Sequence, residues 1–123
     1  MDGWNEIIKA NRSGYYIGAR QERENVEWVA WHTRQAMRKN HVKPYTSRVR
    51  VDVCFVEVNR RRDPANAYGG LKWLLDGMTK PKGGKAGAGL IVDDSAEWLE
   101  IGSVTVDYDK NNPGVRVKVT AAD

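Results

Sequence analysis

The spacing of apolar positions changes along this chain, and each change marks an element. From Arg20 the pattern is helical: Val26, Val29, Ala30, Thr33 and Met37 recur at helical spacing, and charged residues fill much of the remainder. The pattern fades near Asn40, ahead of Pro44. Val49 to Val58 then alternates as a strand. Val49, Val51, Val53 and Phe55 lie on one side, and Arg50, Asp52, Cys54, Val56 and Val58 on the other. The second side turns apolar towards its end, as in a strand covered on both faces. Pro64 suits the first turn of a second helix, whose apolar stripe is Ala67, Leu71, Leu74, Leu75 and Met78.

Beyond that helix, residues 80–89 (Lys-Pro-Lys-Gly-Gly-Lys-Ala-Gly-Ala-Gly) contain nothing that builds a core and read as a mobile loop. Leu90-Ile91-Val92 is a short apolar run that carries Asp93 and Asp94 out of the core. Ser103 to Tyr108 and Val115 to Thr120 alternate around Asn111-Asn112-Pro113-Gly114, which predicts a hairpin with one wet face. Residues 11–19 read as an irregular lead-in. The expectation is an α+β fold, a small mixed sheet of at least three strands packed against two main helices. The open edges of so small a sheet invite a partner subunit.

Length and composition narrow the class. With 123 residues, 1–123 is expected to be a single domain. No apolar run approaches the roughly 18 residues of a membrane span, so no membrane partner is expected. Met1 to Ala10 lacks the basic-then-apolar order of a secretory leader. Cys54 is the single cysteine and lies in an apolar strand; a buried thiol in a reducing, cytoplasmic setting is the expectation. Net charge is +4, too modest to identify a partner, but its placement is informative. Arg60, Arg61 and Arg62 form a block, and Lys80, Lys82 and Lys85 form a second cluster. Either arrangement suits a phosphate-bearing polymer, and either suits an ordinary solvated surface.

The candidate chemistry lies where the arginine block meets carboxylates. Asp63 sits at a helix entrance, where it caps free N–H groups or binds metal. Asp93 and Asp94 add oxygen donors of the kind that Mg²⁺ prefers, and the cation would relieve their repulsion. Arginines beside them can grip phosphate with paired donors. Phosphodiester hydrolysis needs these parts: neutralised phosphoryl oxygens and an activated water. The loop at 80–89 lacks a Walker ending, so a basic flap over a polyanion, or a plain surface insertion, remains. His32 and His41 show no ligand spacing; His32 is read as packed or solvated and His41 as a helix-end residue. Trp28 and Trp31 are read as core or groove packing.

Taken together, Arg60-Arg61-Arg62-Asp63-Pro64-Ala65-Asn66, the helix with Leu71, Lys72, Leu75 and Asp76, and Gly89-Leu90-Ile91-Val92-Asp93-Asp94 resemble the RusA-type Holliday junction resolvases of bacteria and their prophages. Asn5 resembles the asparagine near that family's N-terminus. The resemblance implies a homodimeric, Mg²⁺-dependent endonuclease, with Mn²⁺ as a substitute. It would act on four-way DNA junctions in the cytoplasm of a bacterium or phage-infected host. It makes Asp63 and Asp94, with Asp93 adjacent, the catalytic acids, and Lys72 joins the catalytic set as a substitute for the family's lysine. Asp63, Asp93, Asp94 and Asn66 become the metal set. Arg60, Arg61, Arg62, Lys80, Lys82, Lys85, Asn5 and Arg12 become the DNA-contacting set.

The chain departs from the family at Ala65, where a further aspartate is common, and at Gly69, where a lysine is expected. Lys72 lies one turn further on. Viral members often carry this Asp-Pro-x-Asn form. Four residues precede Asn5, too few for the strand that the family places ahead of it. The alternative reading is a non-catalytic junction or nucleic-acid-binding protein derived from such a nuclease.

Overall fold

The computed structural model describes residues 4–9, 19–57, 60, 70–81 and 86–122, with side chains from Arg23 onward. The first helical pattern folds as α1 (Ala19–Lys39). Its stripe of Val26, Val29, Ala30, Thr33 and Ala36 is buried. The helix ends in a reversed turn. The Val42 N–H donates to the Met37 carbonyl at 2.8 Å and the His41 N–H to Arg38 at 3.4 Å. His41 takes the left-handed conformation (φ 55°) that closes such an end. Trp31 is corrected by the structure: it is 53% exposed, on the outer side of α1. Its ring and that of Trp28 both meet His32 edge-on, with centroids 4.9 and 4.6 Å away.

Four strands form one sheet: β1 (Trp4–Lys9), β2 (Val49–Glu57), β3 (Leu99–Tyr108) and β4 (Gly114–Ala121), in the order β1-β4-β2-β3. β2 runs parallel to β3 and antiparallel to β4, and β4 is antiparallel to β1. The fold class is the expected α+β, with a mixed sheet and, among the described residues, two helices. Two details differ. A strand does form at the start of the chain, and it runs through Asn5 rather than ahead of it, with Asn5 in register with Lys118. β3 and β4 do not form a hairpin, because β2 lies between them. The turn at 111–114 reverses the chain but carries it across β2. The most apolar strand thus has hydrogen-bonding neighbours on both sides, which its buried backbone requires.

β2 and β4 supply Val49, Val51, Val53, Phe55, Val115, Val117 and Val119 to a core closed by α1, by Leu90 and Ile91, and by α2 (Leu71–Met78) through Trp73, Leu74 and Met78. Each such fully buried side chain contributes about 1.5–3 kcal/mol. The alternate positions Arg50, Asp52, Arg116 and Lys118 lie on the other face, exposed or half-buried. There Asp52 fixes a bulge in β3, between the Val51 and Val53 pairings. Its Oδ1 accepts from the Ser103 N–H at 2.8 Å and the Ser103 hydroxyl at 3.0 Å. Partial burial pushes the Asp52 carboxyl up, but the Ser103 N–H, Arg50 and the Ser103 hydroxyl outweigh it and hold it below the usual range. Its stabilising contribution is therefore present above the ordinary carboxylate range and is lost as pH falls through the depressed value.

α2 is held by its last turn. A Cβ on Gly77 would lie 2.6 Å from Val29 Cβ and 2.9 Å from the Val26 carbonyl oxygen, so the two helices touch backbone to side chain there. The terminal carbonyls of α2, which have no partners inside a helix, are taken up by the returning chain. The N–H groups of Ala88, Ile91 and Gly89 donate to Gly77, Met78 and Thr79 at 2.9, 3.1 and 3.0 Å. Arg34 of α1 adds a bond to the Gly87 carbonyl at 3.3 Å. Backbone groups thus supply 86–89, the end of the segment read as a mobile loop, with anchoring that its side chains lack; residues 82–85 lie outside the described residues. Gly77→Ala gains up to about 1 kcal/mol of helix propensity but overpacks the contact by about 1–3 kcal/mol. Urea unfolding is expected to show a net loss; a gain in stability would show that the helices can separate freely.

Candidate functional site

The site is built on α2 and on the segment that its last turn captures. Lys72 stands in the first turn of α2, with Asp76 one turn on, on the side away from buried Trp73, Leu74 and Leu75. Leu90 and Ile91 are fully buried, and Ile91 makes a parallel bridge with Thr79. That anchoring delivers Asp93 and Asp94, both half-buried, to the side of the helix. Lys72 Nζ donates to Asp94 Oδ2 and to Asp76 Oδ1, each at 3.1 Å. One ammonium thus bridges two carboxylates from separate segments, 22 residues apart in the Lys72–Asp94 case. Asp94 first and Asp76 second raise the Lys72 amine above its ordinary value, against a smaller effect of burial. Lys72 is therefore a proton-bearing donor at neutral pH and not a base.

Of the sequence-derived catalytic set, the structure brings Lys72 and Asp94 into contact; Asp93, the chain neighbour of Asp94, is half-buried. Asp63 and Asn66 lie outside the described residues, as do Arg61, Arg62, Lys82, Lys85 and Arg12; for Asn5 only the backbone position is described. Lys80 is exposed just beyond α2. Arg60 is exposed past the end of β2, with its guanidinium carbon 5.0 Å from the centre of the Tyr108 ring. Asp76 was not among the sequence-derived site residues. Its spacing of four from Lys72 is the signal for it, since such positions face each other on a helix.

Asp76 and Asp94 turn hard oxygen donors towards a single cation, the donor type that Mg²⁺ takes. Among the described residues there is no group of three or more acidic, histidine or cysteine side chains able to enclose a metal ion.

Because the paired amine is harder to deprotonate, Lys72 should react more slowly with acetic anhydride near pH 10 in the parent protein than in Asp94→Asn. Peptide mapping of the labelled protein checks this; equal rates would contradict the ion pair. In comparisons with known proteins, no family model and no curated protein matches the chain.

Proposed function

We propose that this chain is a structure-selective, metal-dependent endodeoxyribonuclease of the RusA type, acting as a homodimer on four-way DNA junctions in the cytoplasm of a bacterium or of a phage-infected host. The observation that carries the reading is the contact of Lys72 with Asp94: the acid that the resemblance selects meets, at 3.1 Å, a lysine one turn from the family's lysine position, although the two lie far apart in sequence. The amphipathic α2 and the buried Leu90-Ile91 anchor give that contact a rigid base. Among the described residues no helix is long and apolar enough to cross a membrane.

In this reading Arg60, Arg61 and Arg62 bind the phosphate backbone at the end of β2. The Lys72 ammonium donates to a non-bridging oxygen of the scissile phosphate, or passes a proton to the departing 3′ oxygen. Asp94 and Asp76 orient that ammonium and keep it charged. Asp63, Asp94 and the Asn66 carbonyl would hold Mg²⁺, with Asp93 adjacent. When bound, the ion supplies charge neutralisation on the phosphate and a water acidic enough to attack it.

A second reading has one observation in its favour. The Lys72 ammonium already pairs with both Asp76 and Asp94, and Ala65 removes an acid common in the family. A protein that binds branched DNA without cutting it would need no more. Asp63→Asn and Asp94→Asn separate the two. On the nuclease reading each lowers junction cleavage by about 100-fold or more, consistent with the share of a barrier that a positioned charge carries, and leaves junction affinity within a few-fold. Mobility-shift and cleavage assays on one junction read both quantities. Unchanged cleavage in both variants would remove these acids from the chemistry.

A further inference from the structure

We infer that Tyr108 is the positioning residue that presents Arg60 to a DNA phosphate. This rests on the nuclease reading and extends it to a residue outside the sequence-derived site. The parallel register of β2 with β3 pairs Glu57 with Tyr108, so both strands end at the same level. Arg60 follows three positions after Glu57 and comes back over the Tyr108 ring at 5.0 Å, inside the range of about 6 Å for a cation–π contact.

The strand end that carries the ring is tied to β2. Tyr108 is half-buried. The Asp109 N–H donates to the Glu57 carbonyl at 2.8 Å. The Asp109 carboxylate closes the following turn by accepting from the Asn111 and Asn112 N–H groups at 3.0 and 3.3 Å. The nearest acid on β3, Asp107, is engaged by Arg116 at 3.5 Å. Among the described residues Arg60 pairs with no carboxylate; its contact there is the Tyr108 ring, which takes up none of its N–H donors. An aromatic face holds a guanidinium without using those donors. They stay available for paired bonds to a phosphate oxygen pair, and the side chain has less freedom to lose when it binds.

The test is a double-mutant cycle read by binding to a four-way junction at several salt concentrations. Tyr108→Leu should weaken binding about threefold, the scale of an exposed cation–π contact. Tyr108→Phe should leave it unchanged, because only the ring is needed. Arg60→Ala should weaken binding further and reduce the salt slope by about one phosphate contact. In the Arg60→Ala background, Tyr108→Leu should have no further effect. Arg60→Lys should lose part of the affinity with the salt slope retained. If Tyr108→Leu binds as the parent does, or its loss persists without Arg60, the inference is overturned while the nuclease reading stands. If the parent protein shows no salt-dependent binding to junction DNA, the nuclease reading falls and takes the phosphate role of Arg60 with it. The nitrogen-15 signal of the Arg60 side chain then still reports whether the ring holds it, by a ring-current shift present in the parent and absent in Tyr108→Leu.

Discussion

The arrangement of the candidate site depends on one constraint: the unpartnered carbonyls at the end of α2 must find donors. In a helix this short, Leu71–Met78, the Asp76, Gly77 and Met78 carbonyls lie beyond the last helical bond, from the Thr79 N–H to Leu75. The chain that returns after residue 85 supplies N–H groups from Ala88, Gly89 and Ile91. In doing so it fixes the position of Leu90 and Ile91 in the core and of Asp93 and Asp94 just outside it. Gly77 serves both sides of this junction. Its missing side chain lets α1 approach, and its carbonyl receives Ala88. Packing of α2 on α1 and placement of the acidic pair are thus one event.

The sheet provides the second half of the frame. β2 is central and nearly all apolar on its core face, and it ends where the arginine block begins. The other face of the sheet carries ion pairs of Arg48 and Arg50 with Glu100, and of Arg116 with Asp107, while Val56 towards the end of β2 is buried there. Exposed pairs of this kind contribute little to stability, about 0–1 kcal/mol, and they fit a solvated surface. The chemistry-bearing residues gather instead at α2, at the segment beside it and at the carboxyl end of β2. Binding groups on the margins of a rigid sheet are well placed to act, because the frame absorbs the cost of ordering them.

The parts of this fold that were legible in the sequence are those where burial follows a single period. Val26, Val29, Ala30 and Thr33 marked α1, and Val49, Val51, Val53 and Phe55 marked β2, since one face of each is fully buried. Neighbour relations were not legible. Alternation in β3 and β4 is the same whether they pair with each other or with β2, and only the tertiary contest for the central position decides it. The anchoring of 86–89 was hidden because it uses backbone groups of small residues. At the site, Lys72 and Asp94 were readable as residue types, and their contact was not. Asp76 escaped because an acid four positions from a lysine is also what any solvated helix presents. Trp31 misled because a large ring gains most by burial, yet here one face of it stays in water.

In the proposed reading, a lysine held between two acids serves a polyanion with a reacting phosphate. The most direct measurement is incubation of the purified protein with end-labelled four-way junction and with matched linear duplex, with and without Mg²⁺. The account predicts paired, symmetrically placed nicks in the junction that require the metal, and an uncut duplex. No metal-dependent product from junctions of varied sequence, under conditions where the protein binds them, would contradict it.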